Sequence, residues 1–236
     1  MIKRCLMVAL LLFAATDALA QTPDMSDAPV VRKRLTWREG RTELLPSVGL
    51  TVNDRYFQNF LIGLGVNYHA TNWISFGLSA GYGIPIKTGL TENIEAEKSL
   101  PGNTYSMPAT HLGLLADLHV GVVPFYGKML LPGDIALAYD FHIVGGVGVM
   151  QVVWNEEAVG RIRAEDQWEL APHFGAGFRV FINEAFALSI DVVDRLAATY
   201  VAARGDNSIP PEEWTHSLSV MLGFGIFLPT KVLTEE

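Results

Sequence analysis

Two short motifs carry the residue types that could do chemistry, Asp117-x-His119 and Asp140-x-His142. A spacing of two sets both side chains of each pair on one face of an extended strand. Imidazole and carboxylate together can ligate zinc or copper, or pass a proton. No dense cluster of histidine or cysteine accompanies them, so the simpler reading is an array of opposed charges. In it Glu43, Asp117, Asp140, Glu169 and Asp191 face Arg41, Arg179 and Arg195 together with His69, His119, His142 and His173. Nucleophilic chemistry has less support. His216-Ser217 is the one adjacent histidine–serine pair, and neighbours along a strand point to opposite faces, so the two cannot act together. The run Gly145-Gly146-Val147-Gly148 is followed by no helical pattern and is not a phosphate loop. The expectation is no catalytic residue, no metal and no cofactor.

The elements that hold these residues are strands. Phe60, Ile62, Leu64, Val66 and Tyr68 alternate with Leu61, Gly63, Gly65, Asn67 and His69, and Ile74, Phe76, Leu78, Ala80 and Tyr82 repeat the pattern around Ser75, Gly77, Ser79 and Gly81. A two-residue period places one set on each face of a strand. Eight such stretches occur, at about 41–52, 56–69, 73–84, 111–122, 135–148, 167–181, 185–200 and 217–228. One face is oily and the other polar or bare, which predicts an all-β, eight-stranded antiparallel transmembrane β-barrel. The fourth stretch should send Leu112, Leu114, Leu118 and Val120 to lipid and keep Gly113, Asp117 and His119 inside, with residues 124–134 making the return. A turn centred near Met129 and Leu130 would set Asp117 opposite His142 and His119 opposite Asp140. Trp73, Trp168 and Trp214 fall near strand ends, where an interfacial girdle is expected. A soluble sandwich would bury its apolar face against a second sheet and fits less well.

At the N-terminus, Lys3 and Arg4 precede an apolar run from Leu6 to Ala15, and Ala18-Leu19-Ala20 has the small-x-small form of a signal-peptidase site. Residues 1–20 are read as a signal peptide, 21–40 as a periplasmic lead-in, 41–229 as the barrel and 230–236 as a periplasmic tail. The only cysteine, Cys5, lies in the signal region. The formal charge is −8, and loss of Lys3, Arg4 and Asp17 with residues 1–20 makes it −9, so a basic nucleic-acid face is excluded.

Three runs carry a family resemblance. They are Arg41-Thr42-Glu43-Leu44-Leu45-Pro46 with Gly49-Leu50 and Asn53-Asp54, then Pro124-Phe125-Tyr126-Gly127-Lys128, then Gly145-Gly146-Val147-Gly148. In this order they resemble a family of Gram-negative outer-membrane β-barrel domain proteins. The resemblance covers nearly all of the mature chain and implies an OmpA-like eight-stranded barrel with no catalytic motif. One departure is the C-terminus. Many such barrels end on an aromatic residue, whereas this chain runs on from Pro229 to Glu236, so an assembly signal would be internal, at Gly223, Ile226 and Leu228.

Function is therefore expected to be non-enzymatic, a structural barrel or a scaffold for external loops with a side-chain-filled lumen. The alternatives are a small pore or transporter for a polar solute, and a lipid-modifying outer-membrane enzyme. Expected partners are outer-membrane lipid with lipopolysaccharide and the outer-membrane assembly machinery, for a protein acting as a monomer. The expected location is the outer membrane of a Gram-negative bacterium.

Overall fold

The computed structural model describes residues 38–101, 104–131, 135–155, 166–199 and 213–229. The expected signal peptide, residues 21–37 of the lead-in and the tail at 230–236 lie outside the described residues. The alternating stretches form β1 (Arg41–Thr51), β2 (Phe57–His69), β3 (Ile74–Lys87), β4 (Thr110–Leu131), β5 (Ile135–Trp154), β6 (Gln167–Phe181), β7 (Phe186–Thr199) and β8 (Glu213–Leu228). Each pairs antiparallel with the next, and β8 pairs with β1, so the sheet closes into a barrel. Closure leaves no continuous unpaired edge around the wall.

The register fixes the barrel's shape. Following paired residues from Arg41 through His69, Ser75, Gly121, Val144, Gly175, Val193 and Ser219 returns to β1 at Thr51, ten residues farther along. Such a stagger tilts the strands by roughly 35–45° and leaves an interior just wide enough for side chains to fill. The seam between β1 and β8 has an interruption. Pairing stops after Leu44–Ile226 and resumes at Ser47–Gly223, skipping the position of Pro46, which has no backbone N–H to give. Arg41 ties the lower end of this seam, donating from Nε to the Pro229 carbonyl at 3.0 Å and from Nη2 to the Phe227 carbonyl at 3.2 Å.

The outer face is apolar. Leu64, Leu118, Leu170, Phe174, Leu188 and Leu222 are all more than half exposed, which in water would be costly over so large an area. Against lipid it is what a spanning barrel presents. Aromatic rings band one end, with Tyr139 stacked on Phe178, Phe186 stacked on Phe224, and Trp73 edge-on to Tyr126. Trp168 and Trp214 stand exposed toward the other end. No helix among the described residues is long and apolar enough to cross a membrane.

Two β-bulges change the reading of the fourth strand. Between Leu112 and Leu115 an extra residue shifts the register against β5, so Leu112 is buried inside with Leu115, while Gly113 lies against the outward Gln151 and Val153. The expected faces of Leu112 and Gly113 are therefore reversed, because a bulge flips the phase of everything beyond it. The second bulge lies between Val122 and Phe125 and absorbs Pro124. The chain does not turn there. Strand β4 continues to Leu131, opposite Ile135, so the chain does not return across 124–131. Since β3 pairs with β4 only as far as Val122, the β4–β5 ribbon extends past its neighbour.

On the opposite side of the barrel, the connection after β3 contains α1 (Gly89–Lys98), capped by Thr88 and carrying Glu92 in its first turn and Lys98 in its last. Glu95 anchors it, accepting from Lys87 Nζ and from the Met107 N–H. Ile94, Tyr105 and Tyr56 pack there against Phe57, Met107 and Ala109.

Candidate functional site

The inward positions of the strands bring most of the candidate charges into one half of the lumen. Glu43, fully buried, accepts from Asn67 Nδ2 at 3.2 Å and lies 3.1 Å from His69 Nε2 and 3.4 Å from Arg179 Nη2. Arg179 also reaches Asp140 at 3.9 Å. Asp140 accepts from Arg38 Nη1 at 2.8 Å and meets His142 Nδ1 at 3.2 Å. The other nitrogen of His142 is 2.6 Å from Asp191, which in turn accepts from the Ser189 hydroxyl. Arg38 stands just before β1, and sequence patterning gave no sign that it would close this end of the lumen.

A second group sits higher. Asp117 accepts from Arg195 Nη2 at 2.8 Å and from the Ser79 hydroxyl at 3.3 Å, with His173 Nδ1 at 3.6 Å. His119 contacts Asn67 Oδ1 at 2.9 Å and is edge-on to His173. Asn67 thus joins the two groups, with its amide nitrogen on Glu43 and its oxygen on His119. Glycine makes the room: a Cβ at Gly77 would strike Asn67 and His119, one at Gly148 would strike Asp117, and one at Gly177 would strike Asp191 and His142. Glu169 points inward but stands apart, opposite Met150.

The cross-strand pairing of Asp117 with His142 and of His119 with Asp140 does not occur. Asp117 is opposite Gly148, His119 opposite Gly146, and Asp140 opposite Tyr126. The reason is that β4 runs on to Leu131 before β5 begins at Ile135, which slides β5 along β4. Among the described residues no three His, Cys, Asp or Glu groups converge as a metal ion would need.

Around the two groups is a cavity of about 130 Å³ bordered by His119, His142, His173, Arg179 and Arg195. Asp117 Oδ1, His173 Nδ1, Arg179 Nε and Arg195 Nε are buried beside it without a protein hydrogen bond. At about 30 Å³ of liquid per molecule, water could satisfy them there. Above the cavity the lumen turns apolar. Leu61, Leu112, Leu115, Met150, Val152, Ala171 and Ala197 form one cluster there, with Met221 packed against them. Beyond that layer a wider cup opens, about 580 Å³ in volume.

At the same end, on the outer face, His216 Nδ1 is 2.8 Å from Asp194 Oδ2. Ser217 is buried on the inner side of the same strand. Histidine and serine therefore do not meet.

No family model matches the chain. No curated protein matches it either. Among solved structures it is similar to the N-terminal β-barrel domain of Pseudomonas aeruginosa OprF, at 13% identity and a TM-score of 0.47, over 80% of this chain and 98% of that one. It is also similar to the outer-membrane protein OprG of the same organism, at 13% identity and a TM-score of 0.47, over 81% and 97%. The Neisserial surface protein NspA matches at 9% identity and a TM-score of 0.44, over 80% and 97%.

Proposed function

We propose that the protein is a closed, non-enzymatic barrel of a Gram-negative outer membrane, holding its external connections on a rigid wall. The observation that carries this reading is the apolar layer. Leu61, Leu112, Leu115 and Met150 pack together between the charged groups and the external cup, a hydrocarbon cluster bordered by Asn59 and Glu169. An ion entering from either end would have to shed its water there, and an isolated charge in such surroundings is strongly disfavoured. Below the layer, Arg38 and Arg179 span the lumen to Asp140 and Glu43 and obstruct it a second time. The protein's partners in this reading are the surrounding lipid, including lipopolysaccharide, and the machinery that inserts it, and it acts as a monomer.

Reconstitution of the folded protein in planar bilayers tests the reading. Flat current traces at moderate voltage are expected, and reproducible unitary steps would replace the scaffold with a pore. The lipid-active alternative has the His216–Asp194 pair in its favour, but Ser217, the hydroxyl beside His216 in the chain, lies on the inner face. Lipid composition after overexpression should be unchanged, and a new lysolipid or acyl-transfer product would overturn that part.

A further inference from the structure

The external cup has a polar wall and an apolar wall, and the two differ in kind. On one side Leu112 and the neighbouring Met150 and Val152, the upper surface of the apolar layer, form a continuous hydrocarbon face. Asp54 and Ser217 also line the cup, on chain segments tied together where Asn53 bonds to the backbone of His216 and Leu218. The Asp54 carboxylate is held from behind, with Oδ2 accepting from the Thr51 hydroxyl and from Asn59 Nδ2 at 2.9 Å. The Ser217 hydroxyl has no hydrogen-bond partner, although the residue is only 7% exposed. A buried hydroxyl left unpaired at the edge of a cavity is costly unless a ligand or water meets it. A volume of about 580 Å³ is within the range of small-molecule sites.

We propose that this cup binds a small amphipathic cation, an amine whose apolar body lies on Leu112, Met150 and Val152 and whose ammonium group is taken by Asp54 and the Ser217 hydroxyl. The charge choice follows from the lining. Among the described residues that line it, Asp54 and Glu213 are the carboxylates and the one permanent cation, Arg55, is exposed. An anionic head would meet a carboxylate already fixed in place, whereas an ammonium would complete it. The proposal is independent of conduction, because the cup ends on the apolar layer whether or not that layer opens.

Three probes with one apolar body separate the contributions: benzylamine, benzyl alcohol and benzoate. The folded full-length protein, in nanodiscs of zwitterionic lipid, is labelled at the methionine methyl groups. The Met150 methyl, assigned by Met150→Leu, is followed at neutral pH, with Met129 at the far end of the barrel as the internal reference. Benzylamine should shift Met150 saturably, at least fivefold more tightly than benzyl alcohol, while benzoate shifts neither methyl. Asp54→Asn should bring benzylamine to the level of benzyl alcohol, and Asp54→Glu should keep the preference. Ser217→Trp, which fills the cup, should abolish the shift while the barrel still migrates as a folded species on unheated gels. Equal response to all three probes, a preference that survives Asp54→Asn, a shift that survives Ser217→Trp, or movement of Met129 alone would overturn the proposal.

Discussion

Asp140 shows how closely the lumen charges depend on one another. It carries Arg38, approaches Arg179 and orients His142, and it is fully buried. Removing one member of a buried ion pair typically costs about 3–5 kcal/mol, because the partners are left charged and unmatched. Asp140→Ala should lose stability on that scale in denaturant titrations of the lipid-inserted protein, and Glu92→Ala on α1 should lose almost none. Equal midpoints for the two would refute the linked network. Asp54, outside the membrane span, gives a pH prediction. Burial raises its carboxyl above the ordinary 3.8, so the folded protein binds that proton more tightly than the unfolded chain does. Its contribution is full below the unfolded value and is lost as pH rises through the raised folded one. Asp54→Asn should flatten this part of the stability curve in urea series above about pH 4, whereas an unchanged slope would assign the fall to another group. Residue identity made the charges visible in the sequence. Their partners were not visible, because Arg38 lies outside every strand and Asn67 looks like any inward polar residue.

Among the elements, period-2 patterning placed seven strands well and misjudged the fourth. Both differences have one cause: a bulge adds a residue that alternation cannot register, and Pro124, a residue type that reads as a strand terminator, sits inside a bulge. Helix α1 also passed unnoticed, although Thr88, Glu92 and Lys98 mark its two ends. The corrected faces can be checked. Leu118→Arg, on the lipid face, should cost about 2–4 kcal/mol in vesicle refolding if it sits near the bilayer midplane. A lipid-borne quencher should reach a fluorophore on Leu114→Cys and not one on Leu112→Cys. Quenching at both positions would restore the unbulged phase.

For the whole molecule, strand number and closure were legible because eight alternating stretches and an even count leave both ends of the barrel on one side. The ten-residue stagger was not, since it depends on where each turn falls and on two bulges. Nor was the division of the lumen into a charged half and an apolar layer, which needs Leu61, Leu112, Leu115 and Met150 from three strands to meet. That division predicts that Leu115→Ser combined with Met150→Ser will admit water and raise ion conductance above a silent parent. A double variant as silent as the parent would show that the charged half alone keeps the barrel shut.

The join between β1 and β8 has a consequence for how the molecule is completed. It brings together segments from opposite ends of the barrel sequence, so it has the largest loop-closure cost of any strand pair. It is also the join in which Pro46 leaves a rung missing. Arg41 lies beyond that gap and can grip the Phe227 and Pro229 carbonyls only when the last strand has arrived in register. The guanidinium therefore acts as a clasp. A ring that is still open, or closed one step out of phase, offers it nothing to hold, and the finished cylinder differs from its near-misses by that fastening.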